Sequence, residues 1–149
     1  MKTELNEVVQ REELQTAFTP RLVVFHCQWC LPDADYIMSL VDEDMRESAL
    51  ALRVNCTARV EGEFVIKALA EGFDGVLVLG CEIGECHYRT GNHRALKRLL
   101  VLREMFEFGG IHPERLGTLW VSPFDEGTVK ALVKDYTEKL RAVGPFKRG

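Results

Sequence analysis

Apolar positions along the chain follow two alternating rhythms. Arg21 to His26 (RLVVFH) is a short apolar run rich in β-branched residues, Gly75 to Leu79 (GVLVL) is the clearest such run, Ala51 to Asn55 (ALRVN) is a second candidate strand, and Thr118 to Val121 (TLWV), ended by Ser122-Pro123, is the fourth. The first two predict buried strands. Between these segments the apolar positions recur every three or four residues, which predicts helices with one apolar face. Ala34, Ile37, Met38, Val41 and Met45 mark the first of these, and Phe64, Val65, Ala68 and Leu69 the second, stopped by Gly72. A long third carries Ala95, Leu99, Leu102 and Phe106 and stops at Gly109-Gly110. The fourth runs through Val129, Leu132, Val133, Tyr136, Leu140 and Val143 to Gly144-Pro145.

Strands that alternate with helices imply βαβ units with right-handed crossovers. The expected fold is therefore α/β: a four-stranded parallel sheet with flanking helices, in a Rossmann- or flavodoxin-like three-layer arrangement. Residues 1–20 scatter Leu5, Val8, Val9, Leu14 and Phe18 among charges. They are expected to form a short N-terminal helix or arm before a domain that spans 21–149.

Composition narrows the function. The chain has 149 residues, 46% of them apolar and 28% charged, with a net charge of −4. That is an ordinary globular mixture, long enough for one core without disulfide staples. It lacks the excess of cations that nucleic-acid binding needs. No stretch approaches the roughly 18 apolar residues of a membrane span. The N-terminal segment lacks the apolar run of a secretory signal, so the cytoplasm is the expected compartment.

The five cysteines, Cys27, Cys30, Cys56, Cys81 and Cys86, carry the chemistry. An odd number in a cytoplasmic chain makes a poor disulfide framework. Cys27, Cys56 and Cys81 each fall at the end of an expected strand, and Cys30 and Cys86 in the loops that follow. In a parallel sheet these loops share one edge, where open α/β folds bind ligands. All five sulfurs are thus expected to gather there. Three chemistries suit them. An iron–sulfur cluster takes four thiolates, and a structural zinc site does too. Thiol–disulfide exchange at Cys27-Gln28-Trp29-Cys30 would use a C-x-x-C between strand and helix, but it leaves three cysteines unexplained. The cluster ranks first. Dinucleotide-binding, Walker, zinc-protease and nucleophile-elbow motifs are missing, so no catalytic residues are assigned.

Around the cysteines, His87, Asn92 and Arg94 are candidates for contact with the cluster, with Asn92 alternatively a helix N-cap. Arg59 is a further candidate. Trp29 and Tyr88 read as packing residues. The glycines Gly80 and Gly84 would let backbone approach sulfur. Arg94, Lys97 and Arg98 form a basic cluster suited to an acidic partner.

The segments FHCQWC, VNCTARV, FVIKALAEGFDGVLVLGC and above all GCEIGECHYRTGN resemble the delta subunit of methyl-viologen-reducing hydrogenase. The resemblance runs from about Arg21 to the end of the chain. It implies a non-catalytic electron-transfer protein with a [2Fe–2S] cluster. Such a protein relays electrons between a hydrogenase, formate dehydrogenase or similar module and the flavin-containing A-type component of a heterodisulfide reductase-type complex. The family's motif cysteines correspond to Cys27, Cys30, Cys56, Cys81 and Cys86. Many members carry a further cysteine where this chain has His26. Four ligands are needed from five thiols. Cys27 with Cys30 and Cys81 with Cys86 are the natural chelating pairs, with Cys56 in place of Cys30 as the alternative.

Overall fold

A computed structural model describes residues 2–122 and 125–147, with backbone alone for 11–17. Leu14 of the expected arm and Pro123 of the expected strand stop lie outside the described side chains. The chain begins with α1 (Lys2–Ala17) and then runs β1 (Leu22–Cys27), α2 (Ala34–Leu40), β2 (Ala49–Val54), α3 (Gly62–Ala70), β3 (Gly75–Cys81), α4 (Gly91–Phe108), β4 (Leu116–Val121) and α5 (Glu126–Val143). All four strands are parallel, in the order β2-β1-β3-β4. Among the described residues no helix is long and apolar enough to cross a membrane.

The two central strands are buried along their whole length, as strands covered on both faces must be. Side chains alternate between two apolar layers. Leu22, Val24, Leu77 and Leu79 pack with Ile37 and Leu40 of α2 and with Val129, Val133 and Leu140 of α5. Val23, Phe25, Val76 and Val78 face the other way, against Val65 and Leu69 of α3 and Leu99 and Phe106 of α4. The three-layer α/β fold expected from the sequence is the one formed. Residues Lys2–Gln10 of α1 are exposed throughout, including Leu5, Val8 and Val9.

Some expected boundaries shift. The apolar pattern from Ala34 to Met45 is not one helix: Val41 is extended (φ −81°, ψ 142°), and a 3₁₀ turn at Glu43–Ser48 carries Met45 into the core. β2 begins two residues before its expected start because Ala49 pairs with Leu22. β4 begins at Leu116, opposite Val76.

The bottom of the sheet is tied by one buried carboxylate. Asp74 Oδ2 accepts from the Arg21 N–H at 2.8 Å, and Oδ1 accepts from the Phe146 N–H at 2.8 Å. Buried Arg115 donates to the Asp74 carbonyl at 2.8 Å. An Asp74→Ala variant strands two backbone donors. It is expected to lose about 2–4 kcal/mol of stability, read as a lower urea midpoint, while the sulfur edge stays intact.

Strand order creates the site. The connection out of β1 carries α2 along one face to β2. The next crosses by α3 on the opposite face to β3, on the far side of β1. Where connections diverge in this way, a crevice opens at the carboxyl ends of the strands. Here that crevice lies between the ends of β1 and β3, at Cys27 and Cys81.

Candidate metal centre

All five cysteines are unpaired, buried thiols. Cys27 and Cys81 are the last residues of β1 and β3, neighbours in the sheet, and their Sγ atoms stand 3.6 Å apart. Cys30, one turn into the loop after β1, joins them: the three sulfurs lie within 4.8 Å of one another. Cys56 follows β2, where its Sγ accepts from the Ala58 N–H at 3.5 Å. It lies 3.9 Å from Cys86 Sγ. The sulfurs therefore sort into a trio and a pair, each built from different loops.

Backbone and polar contacts hold the loops that carry them. His26 is fully buried, and its Nδ1–H donates to the Leu31 carbonyl at 2.6 Å, while the Leu31 N–H donates to the Cys27 carbonyl at 2.9 Å. Together these close the C-x-x-C turn. Asn92 is not the helix cap that its position suggested; that place belongs to Thr90. It sits in the first turn of α4, buried, and its Nδ2 donates to the carbonyls of Cys81 and Glu82 at 2.9 Å each. The cap role fails because the loop after β3 lies within reach of the amide. His87 is exposed and stacks on Trp29, with ring centroids 3.6 Å apart. Tyr88 meets both rings edge-on. Trp29 and Tyr88 are half-exposed, so they pack on each other at the surface and not in the core. Arg94 and Arg59 are exposed at a cavity that Cys56 also lines.

The glycine that meets sulfur is one the sequence did not single out. A Cβ on Gly91 would collide with Cys56 Sγ and lie 3.2 Å from Cys86 Sγ. Gly80 instead makes room for the Trp120 ring and Thr57, and Gly84 serves a left-handed turn (φ 96°) with nothing near it.

Mutual hydrogen bonding divides the protons among the trio. Hydrogen bonds from Cys30 and then Cys81 hold the Cys27 thiol down to about 2, against its own desolvation. The same bond to Cys27 pushes Cys30 up, with Cys81 and burial adding to it. Cys81 is pushed up to about 12, mainly by Cys27. Burial is the main cause that raises Cys56. Cys27 is thus the sulfur held toward the thiolate, which is the ligating form, and Cys30 and Cys81 are held toward the thiol.

The donor set fits a thiolate-bound metal group. In a tetrahedral site with metal–sulfur bonds of about 2.3 Å, adjacent sulfurs are about 3.8 Å apart. The separations of 3.6 Å and 3.9 Å each match one edge of such a tetrahedron. Soft thiolates select zinc and iron–sulfur groups over hard cations.

The chain is a doubly wound α/β domain with buried thiols, capable of metal ligation, crowded at its switch point. The family model for methyl-viologen-reducing hydrogenase, delta subunit, matches residues 22–144, and the chain belongs to this family. The iron-sulfur D component of the F420-non-reducing hydrogenase of Archaeoglobus profundus is 35% identical over 128 residues, covering 86% of this chain and 93% of that one. The corresponding iron-sulfur D component of the vhc F420-non-reducing hydrogenase of Methanococcus voltae is 33% identical over 126 residues, or 85% and 88% of the two chains. The A component of the Ferredoxin/F(420)H(2)-dependent CoB-CoM heterodisulfide reductase of Methanosarcina acetivorans is 36% identical over 127 residues, which make up 85% of this chain but 16% of that one.

Proposed function

We propose that this chain is a non-catalytic electron-transfer protein that holds a [2Fe–2S] cluster on Cys27 with Cys81 and Cys56 with Cys86, leaving Cys30 as the fifth thiol. The observation that carries the reading is that, with Cys30 set aside from the trio, the remaining sulfurs form two pairs drawn from the ends of three strands, each at the spacing of one metal's tetrahedral edge. Such a cluster supplies one-electron storage at a potential set by charge and hydrogen bonds around its sulfurs.

The residues of this chain bind and connect. β1, β3 and the turn into α4 carry the sulfurs, and the aromatic group of Trp29, His87 and Tyr88 lines the cavities beside them. The relative in which the matching module is a small part of a heterodisulfide reductase A component supports a partner of that kind. On this reading the chain, in the cytoplasm, docks with a flavin-containing A-type component and accepts electrons from a hydrogenase or formate dehydrogenase module.

Purification without oxygen, followed by iron and acid-labile sulfide analysis and EPR of the reduced sample, tests this. About two irons and two sulfides per chain are expected, with a reduced [2Fe–2S] signal. A colourless protein holding zinc, or one with a reversible Cys27–Cys30 disulfide, would overturn the reading.

A further inference from the structure

Two cavities open on the sulfur edge, and their charges are opposite. One, of about 360 Å³, is lined by Cys56, Arg59, Tyr88, Gly91 and Arg94 among others. The second, of about 430 Å³, is lined by Trp29, Cys30, Cys81, Glu82, Glu85 and His87 among others. The first therefore reaches the Cys56–Cys86 pair and carries two arginines. The second reaches the trio and carries two glutamates. The stacked rings stand between them, with Tyr88 on the basic side and Trp29 and His87 on the acidic side.

These four charges are exposed, and among the described residues none of them makes an ion pair. Some charges of the chain are paired, Arg98 with Glu61, Arg103 with Glu114, and Arg141 with Asp42 and Asp44, and among the described residues other exposed ones such as Arg53 and Lys67 are not. What sets these four apart is that like charges stand together at a cavity beside sulfur. Like charges left together beside a cavity are a cost to the isolated fold, and a partner of opposite sign relieves it. Half-exposed Trp and Tyr between them are the residue types that anchor the centre of an interface.

We infer that the centre has two docking faces of opposite sign. Arg59 and Arg94 receive a redox partner with an acidic rim beside Cys56 and Cys86. Glu82 and Glu85 receive a second with a basic rim beside Cys30 and Cys81. This rests on the relay reading above and deepens it. A relay that exchanges electrons with two proteins through one face makes them compete. Two faces of opposite sign let both dock at once and reject each other's place, because the wrong partner meets like charge.

Small charged reagents probe the faces directly. The anaerobically purified, iron-loaded chain is reduced with dithionite, freed of excess reductant, and mixed in a stopped-flow instrument with a one-electron acceptor. The acceptor is anionic ferric-EDTA or cationic hexaammineruthenium(III), so that each cluster passes its one electron to one ferric or ruthenium(III) ion. Neutralising the basic face (Arg59→Gln with Arg94→Gln) is expected to slow the anionic reagent about tenfold and to flatten its salt dependence. The cationic rate stays within about twofold. Neutralising the acidic face (Glu82→Gln with Glu85→Gln) does the reverse. A second readout does not depend on electron transfer. Relaxation of the reduced sample's EPR signal by anionic hexacyanochromate(III) weakens only in the arginine variant, and by cationic tris(ethylenediamine)chromium(III) only in the glutamate variant. A sample that carries no iron overturns the relay reading and this one with it. A sample with full iron in which one residue pair governs both reagents, or neither pair governs any, overturns the two faces alone.

Discussion

A single methyl group at Gly91 is expected to leave the fold standing and strip the protein of iron. Gly91 opens α4, and its Cα faces the Cys56 and Cys86 sulfurs so closely that a Cβ would overlap the first and lie 3.2 Å from the second. Its backbone is not left-handed, so space, not conformational freedom, is what demands glycine. The helix has no room to retreat. Ala95, Leu99, Leu102 and Phe106 bury its opposite turns against β1, β3 and α3, and Asn92 pins its first turn to the loop after β3. The sulfurs must therefore move. A displacement of that kind costs about 1–3 kcal/mol as overpacking, which a domain of this size survives. Its consequence for chelation is larger, because two of the four proposed ligands leave their positions together. Gly91→Ala should show the wild-type far-UV circular dichroism and, after anaerobic reconstitution, less than about a tenth of the wild-type iron. Full iron in this variant would mean that Cys56 and Cys86 are not ligands of the same metal.

The sequence carried the layers of this fold well, and the location of the site with them. β3 is legible because GVLVL has no polar position, which suits only a strand buried on both faces. The ends of β2 and β4 were not legible because sheet partners set them. Ala49 and Leu116 are strand residues only through pairing with Leu22 and Val76. Gly117 lies inside β4, where the Tyr136 ring fills the space that its missing Cβ leaves. The break at Val41 hides in an unbroken helical pattern, since Met45 returns to the core by another path.

The same division holds at the site. That the sulfurs share an edge follows from the strand endings. How they sort does not, because chain spacing groups neighbours in sequence and the fold groups neighbours in space. Cys81 meets Cys27 through strand order, and Cys86 meets Cys56 through the arch of two loops. His26 looked like a simple departure from the family. Its bond to Leu31 shows a use that depends on a backbone turn no pattern displays.

Serine at Cys81 and serine at Cys30 are expected to give opposite results. Cys81 ends a central strand, 3.6 Å from the Cys27 sulfur, so its side chain has one position to occupy and no replacement within the sheet. Cys81→Ser should lose nearly all iron. Cys30 stands on the loop beyond β1 and lines the acidic cavity, and its neighbours Cys27 and Cys81, with burial, push its thiol up. Its hydrogen bond is the first cause of the depressed Cys27 thiol. Cys30 Sγ lies within 4.8 Å of the Cys27 and Cys81 sulfurs, and on the proposed ligand set a thiol there that donates to a ligating sulfur stabilises the more negative reduced state and raises the potential. Cys30→Ser keeps a hydroxyl donor and should keep both iron and potential. Cys30→Ala should keep the iron and move the potential downward, because the donor is gone and the ligands remain. Iron analysis with an EPR-monitored redox titration of the three variants decides it. If Cys30→Ser loses its iron while Cys56→Ser retains it, the ligand set is Cys27, Cys30, Cys81 and Cys86, and the fifth thiol stands on the loop after β2.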